Sequence, residues 1–336
     1  GVLWSYSEPL IPSEQSTVAS LLKEANYRTA CIGKWHLGLD WVRDSTDQVD
    51  FFAPIAGGPN ANGFDYFFGI TASLDIPPYF YIRDDRITAT SVDTIEAMEG
   101  KKFWREGPIG DDFVHEEVLP RLTAEAVSYI QAQQDHDEPF FLYFPLPAPH
   151  TPILPTEPFA GQSGTNAYGD FVLMVDDVVG QIRKALEETG VWEETMLIFT
   201  SDNGCSPRAD FTELDSMGHD PSYLYRGHKA DIFEGGHRIP YIVTWPDQVT
   251  PGVSDQTVCL PDLLATAAAL TQQNVPTDAG QDSYDLLPVL LANNGHQNLR
   301  EATVHHSING SFALRKGQWK LVFCPGSGGW SDPRPE

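Results

Sequence analysis

The hydrophobic positions of this chain follow two patterns that take turns along its length. Apolar residues three and four positions apart predict four helices. One begins at Val18, with Ser16 or Thr17 as its N-cap, and the others lie over residues 121–134, 166–189 and 260–270. Short continuous apolar runs predict buried strands over residues 28–32, 140–144, Leu197–Thr200 and 241–245. Helix, strand and loop thus form the recurring unit of the chain.

This alternation predicts an α/β fold. We expect a large mixed, mostly parallel sheet with helices on both faces. Residues 1–300 are predicted to form one domain, in which residues 285–291 are an apolar turn or a short helix. Residues 301–336 are predicted to begin a small antiparallel C-terminal subdomain, because residues 313–323 have the pattern of a hairpin centred near Gly317.

Two stretches have no clear periodicity. Residues 40–110 are rich in Gly, Pro, Asp and aromatic residues, and we expect one strand over residues 63–69 and a loop over residues 71–83. Residues 205–225 are predicted to be a polar loop. Long irregular segments in compact domains usually build functional surfaces, which favours a substrate-facing rim, although a variable insertion without a role is the alternative.

Composition excludes some partners. The 336 residues include 47 Asp and Glu but only 21 Lys and Arg, which gives a formal net charge of −26. Such a charge repels nucleic acid and anionic lipid at long range. No apolar run approaches the roughly 18 residues of a membrane span. The four cysteines are scattered without metal-type spacing and indicate neither a disulfide framework nor a zinc site, and nothing in the sequence indicates an oligomeric state.

Polar residues follow three of the predicted strands within six positions. Lys34 and His36 come after residues 28–32, His150 after residues 140–144, and Asp202 with Asn203 after Leu197–Thr200. In open α/β sheets, ligands bind outside the carboxyl ends of the strands, so these side chains are the first candidates for a site. The alternatives are a plain turn at residues 201–204 and structural roles for the histidines.

A further candidate is Lys229, which lies in a segment with three cations and two carboxylates, residues 226–238. That density is unusual in a chain so poor in Lys and Arg. Two lysines and two histidines suit a tetrahedral oxyanion, and hard oxygen ligands without thiolates suit Ca²⁺ or Mg²⁺. The combination indicates hydrolysis of a sulfate or phosphate ester.

Four motifs carry a family resemblance. GKWHLG at residues 33–38, APHTP at 148–152, SDNG at 201–204 and GHKADIFEGGHRIP at 227–240 resemble, in the same order, motifs of the type I, formylglycine-dependent sulfatases. This arylsulfatase family belongs to the alkaline-phosphatase superfamily. ALRKGQWKLV at residues 313–322 resembles the start of the family's small C-terminal domain. The resemblance covers nearly the whole chain, implies an alkaline-phosphatase-like fold, and suggests a secreted, periplasmic or lysosomal protein.

The resemblance implies roles for six residues. Asp202 and Asn203 would bind Ca²⁺, with Mg²⁺ less favoured, and Lys34 and Lys229 would neutralise the sulfate oxygens. The remaining two, His36 and His150, would respectively hold the nucleophile and hydrogen-bond the sulfate near the leaving alcohol. Two further residues, Glu234 and Arg238, would position Lys229. A hydrated formylglycine would attack sulfur, the alcohol would leave, and expulsion of sulfate would regenerate the aldehyde.

One departure concerns the nucleophile. The family carries it in a Cys-x-Pro-Ser-Arg segment, and neither this segment nor the paired aspartates of the family's first strand occurs in the chain. The similar stretch from Cys205 to Arg208 has the Arg three residues after the Cys instead of four. We therefore expect the formylglycine on a Cys or Ser N-terminal to Gly1, and expect these 336 residues alone to be inactive and to bind calcium poorly.

Three functions follow from this reasoning. The favoured function is hydrolysis of aryl or carbohydrate sulfates, with a sulfated small molecule or a sulfated polysaccharide as the partner. A phosphatase or phosphodiesterase of the wider superfamily is the second, although Lys34 and Lys229 suit one metal and a monoanionic ester. A non-catalytic module that binds sulfated glycans is the third, and it would predict loss of site residues.

Overall fold

The computed structural model describes residues 3–291 and 299–334. They form two compact units, an N-terminal unit (residues 3–190 and 271–281) and a C-terminal unit (residues 191–270, 282–291 and 299–334). The predicted functional boundary near residue 300 stays a prediction, because this division reflects compactness alone.

The N-terminal unit is built on a five-stranded sheet. Its order is β4-β3-β2-β1-β7, in which β1 pairs in parallel with β2 and β7 whereas β3 and β4 add antiparallel edges. A separate pair, β5 and β6, is antiparallel. The unit's elements are α1 (Val18–Glu24), β1 (Arg28–Lys34), β2 (Tyr66–Ile70), β3 (Tyr81–Arg83), β4 (Arg86–Ile87), β5 (Val92–Ile95), β6 (Gly107–Gly110), α2 (Val118–Ala132), β7 (Phe140–Tyr143) and α3 (Ala167–Glu188). The mixed sheet with a parallel centre confirms the predicted fold class.

Burial explains the central position of β1. Its five inner residues are all buried, as expected for a strand flanked by parallel neighbours and covered by other elements. Helices α1 and α2 contact it, and α3 packs against α2. One apolar cluster includes Trp35, Phe67 and Phe80, and a second includes Phe171 and Met174 of α3. The core therefore holds the strand ends that carry candidate residues.

The C-terminal unit contains two small antiparallel sheets. Strands β8 and β9 pair with each other, and β10, β11 and β12 form the second sheet in that order. The unit's elements are β8 (Leu197–Thr200), α4 (Phe211–Ser216), α5 (Glu234–His237), β9 (Tyr241–Thr244), α6 (Asp262–Leu270), α7 (Leu287–Leu291), β10 (Thr303–His306), β11 (Phe312–Lys316) and β12 (Trp319–Val322). The three-stranded sheet confirms the predicted C-terminal antiparallel fold.

Two local predictions were wrong. The predicted loop over residues 71–83 ends in strand β3, and the predicted polar loop over residues 205–225 contains α4. Strands of two to five residues are too short to show a period of two, and α4 is a six-residue helix capped by Asp210. Tertiary pairing stabilises such short elements more than local propensity does.

Two further properties concern membranes and thiols. No helix within residues 3–291 and 299–334 combines the length and the apolar character needed to cross a bilayer. Burial raises the pKa of the Cys31 thiol in β1, so this thiol is protonated and packs as a small apolar group.

Candidate functional site

The carboxyl end of β1 is held against the segment that follows β7. Gly33 has φ +141°, and a Cβ at this position would lie 2.2 Å from the carbonyl oxygen of Pro145, so only glycine fits. The next amide, that of Lys34, donates to the same carbonyl at 2.8 Å. Lys34 therefore projects from a strand end that is fixed on the β7 side.

The other side of this strand end is fixed to β2. The amides of Trp35 and His36 donate to the carbonyls of Ile70 and Thr71 at 3.1 Å each. His36 has φ +53°, a left-handed conformation that is uncommon for a residue with a side chain. Its Nε2 lies 2.9 Å from the Leu3 carbonyl oxygen. This strained turn holds the imidazole in one direction beside Lys34.

His150 follows β7, the strand next to β1. Its Nδ1 lies 2.7 Å from the Thr151 carbonyl oxygen. Because a carbonyl can only accept, Nδ1 carries the proton in this contact, which leaves Nε2 as the other ring nitrogen. Lys34 and His36 thus lie at the carboxyl end of β1, and His150 lies in the segment that follows its parallel neighbour β7. That these three residues act in one site stays a prediction.

Sequence reasoning missed Asp75, whose Oδ1 lies 3.9 Å from Nδ1 of His150. Asp75 is buried, and it accepts from the Ser73 hydroxyl and from the Arg105 guanidinium at 2.7 Å each. It comes five residues after β2, the neighbour of β1 on the other side. Its place in a turn after a buried strand could have identified Asp75, but no local pattern indicates Arg105.

The turn after β8 carries Asp202 and Asn203 in the C-terminal unit. Asp202 is exposed, and Asn203 is partly buried and donates from Nδ2 to the Gly204 carbonyl at 3.1 Å. This bond turns the amide oxygen of Asn203 away from that carbonyl. A carboxylate and an amide oxygen from adjacent residues are the hard donors that Ca²⁺ takes.

These donors fit part of a calcium shell. No group of three or more His, Cys, Asp or Glu side chains able to hold a metal occurs among residues 3–291 and 299–334. Calcium takes six to eight oxygens, so Asp202 and Asn203 would need further ligands.

Lys229 lies in the same unit, and its backbone is tied to the residues that follow the β8 turn. The Lys229 amide donates to the Cys205 carbonyl at 2.9 Å, and the Gly204 amide donates to the Gly236 carbonyl at 3.1 Å. The segment carrying Lys229 and the turn carrying Asp202 and Asn203 are therefore neighbours. Of the six predicted residues, three lie in each unit.

Glu234 has partners other than those expected. Its carboxylate lies 2.9 Å from Lys320 Nζ and 3.7 Å from Arg315 Nε, both on the C-terminal sheet, and 4.0 Å from Arg238. Burial alone would raise the pKa of Glu234, but Lys320 and Arg315 lower it, and the net pKa lies below the ordinary value. Glu234 thus joins α5 to β11 and β12.

Comparison with known proteins gives a family match and several relatives. The family model described as Sulfatase matches residues 3–273. An N-acetylgalactosamine-6-O-sulfatase of Bacteroides thetaiotaomicron is 33% identical over 361 residues, which cover 96% of this chain and 69% of that protein. An arylsulfatase of Hemicentrotus pulcherrimus is 31% identical, with coverage of 93% and 52%. The chain spans between about half and seven tenths of the length of these relatives.

Solved structures agree in fold. One from a study of the metabolism of multiple glycosaminoglycans by Bacteroides thetaiotaomicron has a TM-score of 0.84 and 31% identity, with coverage of 96% of this chain and 73% of that one. A phosphonate monoester hydrolase of Silicibacter pomeroyi has a TM-score of 0.54 and 14% identity, with coverage of 96% and 73%. At that identity the likeness shows the fold alone, so the fold by itself does not distinguish sulfur from phosphorus esters.

Proposed function

This chain belongs to the sulfatase family, and we propose that the protein hydrolyses sulfate monoesters of carbohydrates. The observation that carries the proposal is the family match over residues 3–273, a range that contains all six predicted site residues. Hydrolysis breaks one S–O bond and gives an alcohol and inorganic sulfate. The family's nucleophile segment does not occur within the 336 residues, so the proposal concerns a protein in which that segment is also present.

In the N-terminal unit, Lys34 would neutralise charge on a sulfate oxygen, and His36 would hold the nucleophile. His150 would donate a proton from Nε2 to the leaving alcohol, because its Nδ1 is engaged with the Thr151 carbonyl. A cation that is fixed in place stabilises the charge that develops in the transition state most effectively. The hydrogen-bonded strand end at Gly33 and Lys34 would fix the Lys34 backbone in this way.

In the C-terminal unit, Asp202 and Asn203 would hold Ca²⁺ together with ligands from elsewhere in the protein. A bound Ca²⁺ polarises a sulfate oxygen. Lys229 would neutralise a second sulfate oxygen. Its backbone bond to Cys205 supports this assignment, because it ties the lysine to the turn that carries the metal ligands.

The substrate class is proposed from the relatives. One relative is named as an N-acetylgalactosamine-6-O-sulfatase, and mammalian N-acetylgalactosamine-6-sulfatases are about equally similar. A 6-sulfated N-acetylgalactosamine is therefore the first sugar to test. Specificity should depend on residues 40–110, which contain β2 to β6 and the Asp75–Arg105 pair.

The test compares matched sulfate and phosphate monoesters of one phenol. The protein tested contains these 336 residues and a family nucleophile segment, and it is produced together with a formylglycine-generating enzyme. We expect turnover of the sulfate ester and release of sulfate from 6-sulfated N-acetylgalactosamine. Lys34→Ala, His150→Ala and Lys229→Ala should each lower kcat/KM by about a hundredfold or more. Lys184→Ala is the matched control, because Lys184 is an exposed lysine of α3 paired with Glu188.

Two results would overturn the proposal. Faster turnover of the phosphate ester would assign the protein to the phosphatases of the superfamily. Absence of any turnover, with binding of a sulfated glycan that survives Lys34→Ala and His150→Ala, would assign it to non-catalytic glycan binding.

A further inference from the structure

Asp231 is a fully buried carboxylate two residues after Lys229. Its Oδ2 accepts from the His228 amide at 2.9 Å, and its Oδ1 accepts from the amides of Trp330 and Ser331 at 2.8 and 3.0 Å. Burial raises the pKa of Asp231, but the hydrogen bonds from Ser331, His228 and Trp330 lower it, and the net pKa lies below the ordinary value. A buried anion is thus held entirely within the C-terminal unit by one donor from its own segment and two donors from residues 330–331.

The backbone around Asp231 is held by the same C-terminal segment, residues 327–331. The Ile232 amide donates to the Ser327 carbonyl at 2.7 Å. Gly329 lies so close that a Cβ on it would be 2.4 Å from the Ala230 carbonyl oxygen. That carbonyl also accepts from the Ile308 amide at 3.0 Å. Residues 230–232 are therefore enclosed by chain that lies about a hundred residues later.

Ala230, between Lys229 and Asp231, has φ +81°. This left-handed conformation is unfavourable for a residue with a Cβ and persists only where its surroundings impose it. If the contacts to residues 327–331 were lost, Ala230 would relax to negative φ. The chain direction at Lys229 would then change, although the Lys229 amide is held by Cys205 on the other side.

We propose that Asp231 is a positioning residue for Lys229, and that it acts by fastening the Lys229 segment to residues 327–331. The inference rests on the proposed function, in which Lys229 neutralises the sulfate group. Asp231 does not touch the substrate in this scheme. Its hydrogen bonds to the folded segment 327–331 hold the backbone at residues 229–231, and this fixes the direction of the Lys229 side chain.

The first experiment measures the surroundings of Lys229 without using activity. The 336-residue chain is labelled with limiting isotopic acetic anhydride, and the acetylation rate of each lysine is read by mass spectrometry. Asp231→Ala should change the rate at Lys229 about threefold or more relative to the exposed Lys184. Asp215→Ala is the matched control, because Asp215 is an exposed carboxylate of the same unit.

Asp231→Asn is a second, milder variant for the case in which Asp231→Ala does not fold. Asparagine has the same size and keeps one acceptor oxygen, but it places an amide donor against either the His228 amide or the amides of Trp330 and Ser331. We expect a smaller change at Lys229 in the same direction, with near-UV circular dichroism like that of the wild type. An unchanged Lys229 rate in both variants would overturn the proposal.

The second experiment is a double-mutant cycle in the active protein. Asp231→Ala should lower kcat/KM about tenfold or more in the wild type but less than about threefold in a Lys229→Ala background, because its effect passes through Lys229. Equal losses in both backgrounds would show a merely structural role and overturn the proposal. A wild type without sulfatase turnover would overturn the proposed function instead, and the labelling rates would still decide whether Asp231 positions Lys229.

Discussion

Acidification should destabilise the N-terminal unit through His115. Its ring is 3% exposed and lies among aromatic side chains, with ring centroids at 4.2 Å from Trp104, 4.6 Å from Tyr79 and 5.3 Å from Phe113. Its Nε2 is buried without a hydrogen-bond partner within the described part of the chain. Protonation would therefore place a charged N–H where no acceptor meets it.

The pKa of His115 is lowered to about 4, chiefly by burial, whereas Glu116 and a hydrogen bond to the Leu74 backbone act in the opposite direction. An unfolded histidine has a pKa of about 6.5, so the unfolded chain binds the proton first on acidification. Stability from the neutral ring is complete above pH 6.5 and is lost as the pH falls toward 4. Between pH 7.5 and 5.0, this linkage amounts to about 2 kcal/mol of unfolding free energy.

The assay measures unfolding of the N-terminal unit at the two pH values. Urea-dependent hydrogen exchange of α2, which begins three residues after His115, gives the free energy of unfolding for this unit. His115→Asn removes the titrating ring and keeps a donor near the position of Nδ1. We expect the wild type to lose about 2 kcal/mol more than this variant between pH 7.5 and 5.0.

The control for this comparison is His136→Asn, because His136 lies in the same unit with its side chain exposed. It should leave the wild-type pH dependence unchanged. If wild type and His115→Asn lost the same free energy within about 0.5 kcal/mol, the buried ring would not be the source of the acid sensitivity.

Three further substitutions test the structure through urea unfolding. Gly33→Ala places a Cβ against the Pro145 carbonyl and should cost about 2 kcal/mol or more; a smaller loss would contradict the close approach. Asn166→Ala removes the side-chain cap that accepts from the Tyr168 and Gly169 amides at the start of α3 and should cost about 1 kcal/mol, whereas Asn166→Asp should retain most of it. Glu234→Gln breaks the pair with Lys320 and should cost about 1–2 kcal/mol in the C-terminal unit, more than the same change at an exposed glutamate.

The long elements were predictable because their patterns are local. Helix α3 was predicted over residues 166–189 and spans Ala167–Glu188, with Asn166 as the N-cap. Strand β8 was predicted over Leu197–Thr200 and has these bounds. A helix of 22 residues repeats its apolar spacing six times, and a strand between turn formers has clear ends.

The short elements were not predictable in the same way. Strand β3 has three residues, and β4 has two. Strand β3 forms because Phe68, Gly69 and Ile70 of β2 offer an edge to pair with, and β4 pairs in turn with β3. Neither pairing is visible from one segment alone. The same limit explains why residues 40–110 were predicted to be largely irregular.

The candidate site shows the same division between local and remote information. Placement after a buried strand made Lys34, His36 and His150 candidates, and these residues follow β1 and β7, which are paired parallel strands. Asp75, five residues after β2, lies 3.9 Å from His150 and is paired with Arg105, thirty residues away. A strand end can thus be recognised from its own sequence, but the partner that orients its side chain cannot.

The segment that carries Lys229 extends this reasoning to a separation of about a hundred residues. Its motif is recognisable over fourteen residues, yet the donors that hold Asp231 lie 99 and 100 residues later. Ala230, between Lys229 and Asp231, is left-handed, and the proposed fastening to residues 327–331 would maintain that conformation. Under the proposed positioning, the motif supplies the lysine and residues 327–331 fix its direction, so a substitution in either should affect the same step of the reaction.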